Sequence, residues 1–163
     1  MDTFIIALLV NNHFGVLTRV TGLFSRRGYN IATLSVGETA DPETSRITIE
    51  TRTDGPAARQ IVRQLEKLED VKTVALLPGG ETVARELLLC KLVVTPARHD
   101  ALLEAVKEFD CRVPYDVEGR VILEFAGSPA ECEAFLERLS GHTILELCRT
   151  GTTAITTVLE LLA

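Results

Sequence analysis

The stretch Asn12-His13-Phe14-Gly15-Val16-Leu17-Thr18-Arg19-Val20-Thr21-Gly22-Leu23-Phe24-Ser25-Arg26-Arg27-Gly28-Tyr29-Asn30-Ile31 decides how this chain is read. Residues 3–10 before it form an apolar run, which the polar residues and Gly15 break. Leu17, Val20, Thr21 and Phe24 then recur at helical spacing, and Gly28 supplies the left-handed residue on which a helix stops. A second strand follows from Asn30. A strand, a helix start with unpaired backbone N–H groups and a second strand together make a cradle for a small anion.

Outward from this stretch the pattern continues. In residues 3–10, Phe4, Ile6, Leu8 and Val10 alternate with Ile5, Ala7 and Leu9, so the strand is apolar on both faces and needs cover on both. The helices of so small a unit cover one face; a second subunit is expected on the other. Ala32, Leu34 and Val36 mark a half-buried strand, and Asp41-Pro42-Glu43 a turn. Ile47 and Ile49 alternate with Arg46, Thr48, Glu50 and Arg52, a strand with one wet face. Asp54-Gly55-Pro56 starts a helix carrying Ile61, Val62, Leu65 and Leu68. Residues 71–77 close the unit as a strand.

Pro78-Gly79-Gly80 interrupts the chain and the order repeats: a strand at 86–95, a helix from Pro96 with Leu102, Ala105, Val106 and Phe109 on one face, strands at 113–117 and 121–125 about the Glu118-Gly119 turn. Ser128-Pro129-Ala130-Glu131 is a capping box, followed by the apolar stripe Cys132, Phe135, Leu136 and Leu139 and a strand at 144–148. The fold expected is α+β, two tandem ferredoxin-like βαββαβ domains: residues 1–77, a linker at 78–84, and residues 85–163. The apolar tail from Gly151 carries no cap and stays unassigned.

Composition narrows the function. The 163 residues are 46% hydrophobic, enough to build cores, and no apolar run reaches the roughly 18 residues of a membrane span. The start, Met-Asp-Thr-Phe, has no basic region, so no secretory signal is expected and the chain is placed in the cytoplasm. Cys90, Cys111, Cys132 and Cys148 form no C-x-x-C pair and are read as reduced core thiols. Net charge is −6; residues 1–80 hold nine Lys/Arg and nine Asp/Glu, residues 81–163 eight and fourteen. That balance argues against a nucleic-acid partner.

Nothing in the chain spells out catalysis or a metal site. His13, His99 and His142 stand singly, and there is no G-x-S-x-G, P-loop or G-x-G-x-x-G. Glu104, Glu108, Glu133 and Glu137 fall on helix faces, where solvation is the default. The opening stretch differs. Gly15 lacks a Cβ and admits a ligand or a neighbouring subunit to its backbone. The N–H groups of Gly15, Val16 and Leu17 face a carboxylate such as that of a free amino acid, and the helix dipole adds about 0.3–1 kcal/mol. Asn12 and Asn30 each bring a donor and an acceptor. Equally, Asn12 reads as a turn or cap and Asn30 as a strand entry; on residue chemistry alone the two readings are level.

Residues 12–20 and 22–31 resemble the start of an ACT domain, specifically that of the regulatory (small) subunit of acetolactate synthase, also called acetohydroxyacid synthase. The resemblance continues through Ser45-Arg46-Ile47-Thr48-Ile49, Gln64-Leu65-Glu66-Lys67-Leu68, Asp70-Val71 and Arg85-Glu86-Leu87-Leu88-Leu89, and returns at Glu146-Leu147-Cys148-Arg149-Thr150-Gly151. It covers nearly the whole chain, residues 95–141 mainly by pattern. The first domain is then an ACT domain and the second ACT-like. The resemblance implies a non-catalytic regulatory subunit in branched-chain amino-acid (valine, isoleucine, leucine) biosynthesis. Such a subunit activates the catalytic large subunit and confers valine feedback inhibition. It carries no cofactor itself; thiamine diphosphate, Mg and FAD are expected in the catalytic subunit. ACT domains would pair as a homodimer, with the effector held by Asn12, His13, Phe14, Gly15, Val16 and Leu17 of one copy and Asn30 and Ile31 of the other. Phe14 stands where the family commonly has a small residue or proline, which leaves valine, isoleucine and leucine open. The tail 152–163, without Lys or Arg, departs from the family's short basic end. The other reading is a free-standing ACT-type amino-acid-binding regulator of another enzyme or a transcription factor.

Overall fold

The computed structural model describes residues 2–158 and Leu162; the outermost calls of the sequence reading, at Met1 and at 159–161 and 163 of the tail, lie outside them. The chain forms two units: Met1–Val83 with Gly151–Ala163, and Ala84–Thr150. Each is a split β-α-β sandwich, helices on one face of an antiparallel sheet.

In the first unit β1 (Asp2–Asn11), α1 (Val16–Arg27), β2 (Thr33–Glu38), β3 (Thr44–Thr53), α2 (Gly55–Leu65) and β4 (Val71–Leu76) build a sheet of order β2-β3-β1-β4. β1 lies at its centre, with Ile6 opposite Ile49 on one side and Leu76 on the other. Ile6, Leu8, Val10, Ile47 and Ile49 meet Val16, Val20, Leu23 and Phe24 of α1 and Ile61 and Leu65 of α2 in one core. α1 ends in a Schellman motif on Gly28 (φ 69°): the Gly28 N–H donates to Ser25 O and the Tyr29 N–H to Phe24 O. The Asp54 side chain caps α2 by accepting from the Ala57 N–H at 2.7 Å.

Here the structure revises the sequence reading. The tail, placed with the second half, folds with the first. Its short strand, the last in the chain among the described residues, is β9 (Thr153–Thr156). The Thr152 hydroxyl donates to Glu50 Oε2 at 2.9 Å, Arg46 donates to the Ala154 carbonyl at 2.7 Å, and the Thr157 N–H donates to the Glu81 carbonyl at 2.8 Å. The face of β3 expected to be wet is so only in part: Thr48 and Glu50 are buried and Arg52 is exposed. Glu50 and Arg46 have partners from the chain's own end.

In the second unit β5 (Thr82–Val93), α3 (His99–Glu108), β6 (Arg112–Val117), β7 (Arg120–Gly127), α4 (Pro129–Arg138) and β8 (Thr143–Arg149) repeat the order, with the sheet path β6-β7-β5-β8 and β9 pairing β5 off that path. β5 begins inside the expected linker 78–84, which contracts to a turn before Thr82. Pro96 opens a single 3-10 turn ahead of α3. Glu118 (φ 51°) and Gly119 (φ 76°) make the left-handed pair of a tight hairpin between β6 and β7. Ser128 and Glu131 close the capping box of α4. Phe109, Phe125 and Phe135 pack together, with the Phe125 and Phe135 ring centroids 4.7 Å apart.

Three of the four thiols are core residues as expected; Cys148, on edge strand β8, is exposed. Burial pushes the Cys90 thiol up to about 11, so at pH 8 only about one molecule in a thousand carries that thiolate. Iodoacetamide at pH 8 should therefore modify one cysteine per native chain, and Cys148→Ser should abolish that fast phase. Mass spectrometry of the labelled peptides reads the outcome. In the second core, Phe135→Ala should cost about 3–5 kcal/mol in denaturant unfolding, since Phe135 is fully buried.

Candidate functional site

The segment between β1 and α1 is fixed from three sides. Asn12 donates its N–H to the Glu43 carbonyl and, through Nδ2, to the Pro42 carbonyl (2.8 Å) and Glu38 Oε1 (3.1 Å). It therefore ties the loop to the end of β2 and the β2–β3 turn. The same turn is held by Asp41, whose carboxylate accepts from the Thr44 hydroxyl and the Glu43 N–H. These bonds, the Thr44 one first, hold the Asp41 carboxyl below its ordinary range. With both amide hydrogens given away, Asn12 has its Oδ1 left to accept from a ligand.

His13 lies 3.0 Å from Asp70 Oδ1 through Nε2, and its Nδ1 is 3.1 Å from the Phe14 carbonyl. Arg19 Nε donates to Asp70 Oδ2 at 2.6 Å, and the Asp70 carbonyl accepts from the Asn11 N–H. Asp70 sits between α2 and β4 and pins both ends of the loop. It was not among the candidate residues. A lone acid after a helix carries no signal, although Asp70-Val71 lies within the resemblance.

Gly15 caps α1 with φ 85°, a left-handed conformation. No side chain caps this helix and its first turn holds no acid, so its leading N–H groups face outward. Val16 is buried in the core and offers only its backbone; Leu17 and Phe14 are exposed. Arg19 was also missed. A terminal nitrogen of its guanidinium lies 3.7 Å from where a Gly15 Cβ would stand, which places a cation beside the helix start. Its spacing, one helical turn after Gly15, was the available clue.

Asn30 and Ile31 lie past the other end of α1. The Asn30 carbonyl accepts from the Thr51 hydroxyl at 2.7 Å, and Ile31 packs on the core. Twelve helical residues span about 18 Å, so one chain does not bring Asn30 and Ile31 to the Asn12–Leu17 segment. Among the described residues no group of His, Cys, Asp and Glu is arranged to hold a metal ion, and no helix is long and apolar enough to cross a membrane.

Two tandem ferredoxin-like units, the first with an open helix start after its first strand, place the chain in the ACT-domain class. The family described as "AHAS small subunit-like ACT domain" matches residues 6–73, and that described as "Small subunit of acetolactate synthase" matches residues 85–158. A probable acetolactate synthase small subunit from Methanothermobacter thermautotrophicus is 39% identical over 94% of this chain and 92% of its own. The acetolactate synthase small subunit of Bacillus subtilis is 36% identical over 92% and 88%. The crystal structure of the acetolactate synthase small subunit from Thermotoga maritima superposes with a TM-score of 0.89 at 30% identity, covering 96% of this chain and 98% of that one. The chain belongs to the acetolactate synthase small-subunit family.

Asp70→Ala should loosen the loop without unfolding the unit. Each partner is about half exposed, 53% for His13 and 51% for Arg19. The usual strength of a charged hydrogen bond is accordingly discounted to about 1 kcal/mol. Amide exchange at residues 12–18 should quicken about fivefold while that of β1 stays unchanged; equal exchange in variant and wild type would show that Asp70 does not anchor the loop.

Proposed function

We propose that the chain is the regulatory subunit of an acetolactate synthase, non-catalytic itself, which raises the activity of a catalytic large subunit and lowers it again when a branched-chain amino acid binds. The observation that carries this is the start of α1: a left-handed glycine, no side-chain cap and no acid in the first turn, in a chain both of whose halves match the small-subunit family.

The effector carboxylate sits on the N–H groups at Gly15, Val16 and Leu17, with the Arg19 guanidinium nearby. Its ammonium group donates to Asn12 Oδ1. His13 and Phe14 shape the rim, His13 through its hold on Asp70. Asn30 and Ile31 of a second copy close the site, because within one chain they lie a helix length away. The separation favours pairing of two ACT units over a site built by one. The neighbourhood of Phe14 sets the choice among valine, isoleucine and leucine. Inhibition requires that the effector bind the inhibited arrangement of the complex more tightly; affinity alone shifts nothing. The acidic second half supplies part of the contact with the catalytic subunit, which makes that association weaken as salt rises if charge steers it.

Acetolactate formation by the catalytic subunit, with and without this chain and titrated with valine, isoleucine and leucine, tests the reading. Expected are a higher rate with the chain and inhibition by valine. Unchanged rate and response would sink it, and amino-acid binding without either effect would point to a free-standing ACT regulator. At the site, Gly15→Asp should weaken valine about ten- to a hundredfold, since a second carboxylate occupies the ligand's place. Gly15→Asn is the control, because asparagine tolerates the left-handed backbone without the charge. It should retain most of the affinity. Normal valine binding by Gly15→Asp in calorimetry would show the cradle lies elsewhere.

A further inference from the structure

The tail reaches the first unit through contacts that single it out from an ordinary chain end. Gly151 lies so close to β2 that a Cβ there would collide with the Leu34 carbonyl oxygen and stand 2.6 Å from its carbon. Thr152 is fully buried; its N–H donates to Thr33 Oγ1 at 3.2 Å and its hydroxyl to Glu50 Oε2. Ala154 is buried as well and its carbonyl accepts from Arg46. The Arg46 Nε is itself buried without a hydrogen-bond partner among the described residues, so that side chain's hold on the protein depends on the tail. Beyond Ala154, the Thr156 and Thr157 hydroxyls and the Thr157 N–H all donate to the Glu81 carbonyl.

The same strand serves the loop before α1. The Asn12 N–H bonds the Glu43 carbonyl and Asn12 Nδ2 the Pro42 carbonyl, immediately before β3 begins at Thr44. Arg46 stands three residues along from Glu43 and opposite Leu9 of β1. One short segment, residues 42–46, is thus gripped at its start by the Asn12 loop and at its end by the tail.

We propose that residues 151–157 are a docking strap whose seat on β2 and β3 is coupled to amino-acid binding at the Asn12 loop: the effector tightens the strap, and the docked strap tightens the effector. The proposal rests on the effector reading above and adds the element that reads the site's state. The strap begins two residues after β8 ends, so its docking acts on the chain that leaves the second unit. Linkage makes the coupling reciprocal, which gives the test two independent arms.

The first arm is amide exchange on the full-length wild-type chain. Saturating valine should slow exchange at Thr152 and Thr157 as well as at Asn12 and Val16. The second is calorimetry on Gly151→Val, where the side chain displaces the strap from Leu34. Exchange at 152–157 should rise, the circular dichroism should stay that of the wild type, and the valine Kd should weaken about fivefold or more, the lower end of ordinary coupling. Thr152→Val keeps the shape but removes the hydroxyl from Glu50, and should shift the Kd the same way; it serves if Gly151→Val does not fold. A released strap with a valine Kd within twofold of wild type overturns the strap and leaves the effector site standing. A wild-type chain that binds no branched-chain amino acid overturns both.

Discussion

A central strand that is apolar on both faces must be covered on both faces. β1 carries Ile6, Leu8 and Val10 toward α1 and α2, and Ile5, Ala7 and Leu9 away from them. The first set makes the core. The second shares its face with Arg46, Thr48 and Glu50 of β3, which sit opposite Leu9, Ala7 and Ile5. A face of that mixed kind is poorly served by water and cannot be closed by apolar packing alone, because Glu50 and Arg46 need hydrogen-bond partners once buried. The tail gives Glu50 a hydroxyl and one Arg46 terminal nitrogen a carbonyl, while Arg46 Nε stays without a partner among the described residues. The position of the helices and the course of the tail both follow from this strand.

The second unit shows the same fold under a different constraint. Its central strand β5 sends Leu88, Cys90 and Leu92 into the core and presents Leu87, Leu89 and Lys91 on the other side. Lys91 is paired there with Glu146 of β8. A charged pair in mid-face suits solvent, whereas β1 of the first unit has only apolar residues at the matching positions. Two copies of one topology have thus diverged in what their open faces tolerate.

Much of this was legible because it is local. Gly15, Gly28, Asp54 and Ser128 each act within a few residues, and alternation or helical spacing marked most strands and helices. What was missed depends on distant partners. Arg46, Thr48 and Glu50 alternate with isoleucines as a solvated strand face does; the partners of Glu50 and Arg46 are Thr152 and Ala154, about a hundred residues away. The tail pairs β5 through only the four residues of β9, too short a strand to show a period, and its hold on β3 rests on single hydrogen bonds. Asp70 reads as a surface acid until His13 and Arg19 are brought to it. Cys148 ends an apolar strand, but it is in register with Glu146 and lies opposite Leu89, on the face of the sheet away from the core. Around the start of α1, the left-handed Gly15 was readable, while Asp70 and Arg19 beside it were not.

The helices differ in how they begin. α2 has Asp54 as a cap, α4 has the Ser128–Glu131 box, and α3 is led in by a 3-10 turn. α1 has none of these, although substituting a capping residue for glycine at such a position changes stability by only a few tenths of a kcal/mol. The position also demands a left-handed backbone, which most capping residues adopt poorly, and a loop that Asn12 and Asp70 already hold on either side. Rigid surroundings and vacant donors belong together in a binding site: the loop's order is established before a ligand arrives, so little ordering cost falls on the encounter. An uncapped helix in a mobile loop would merely fray. Held as this one is, the start of α1 keeps a fixed backbone with no side-chain cap, and that pre-organisation is what the proposed amino-acid site requires.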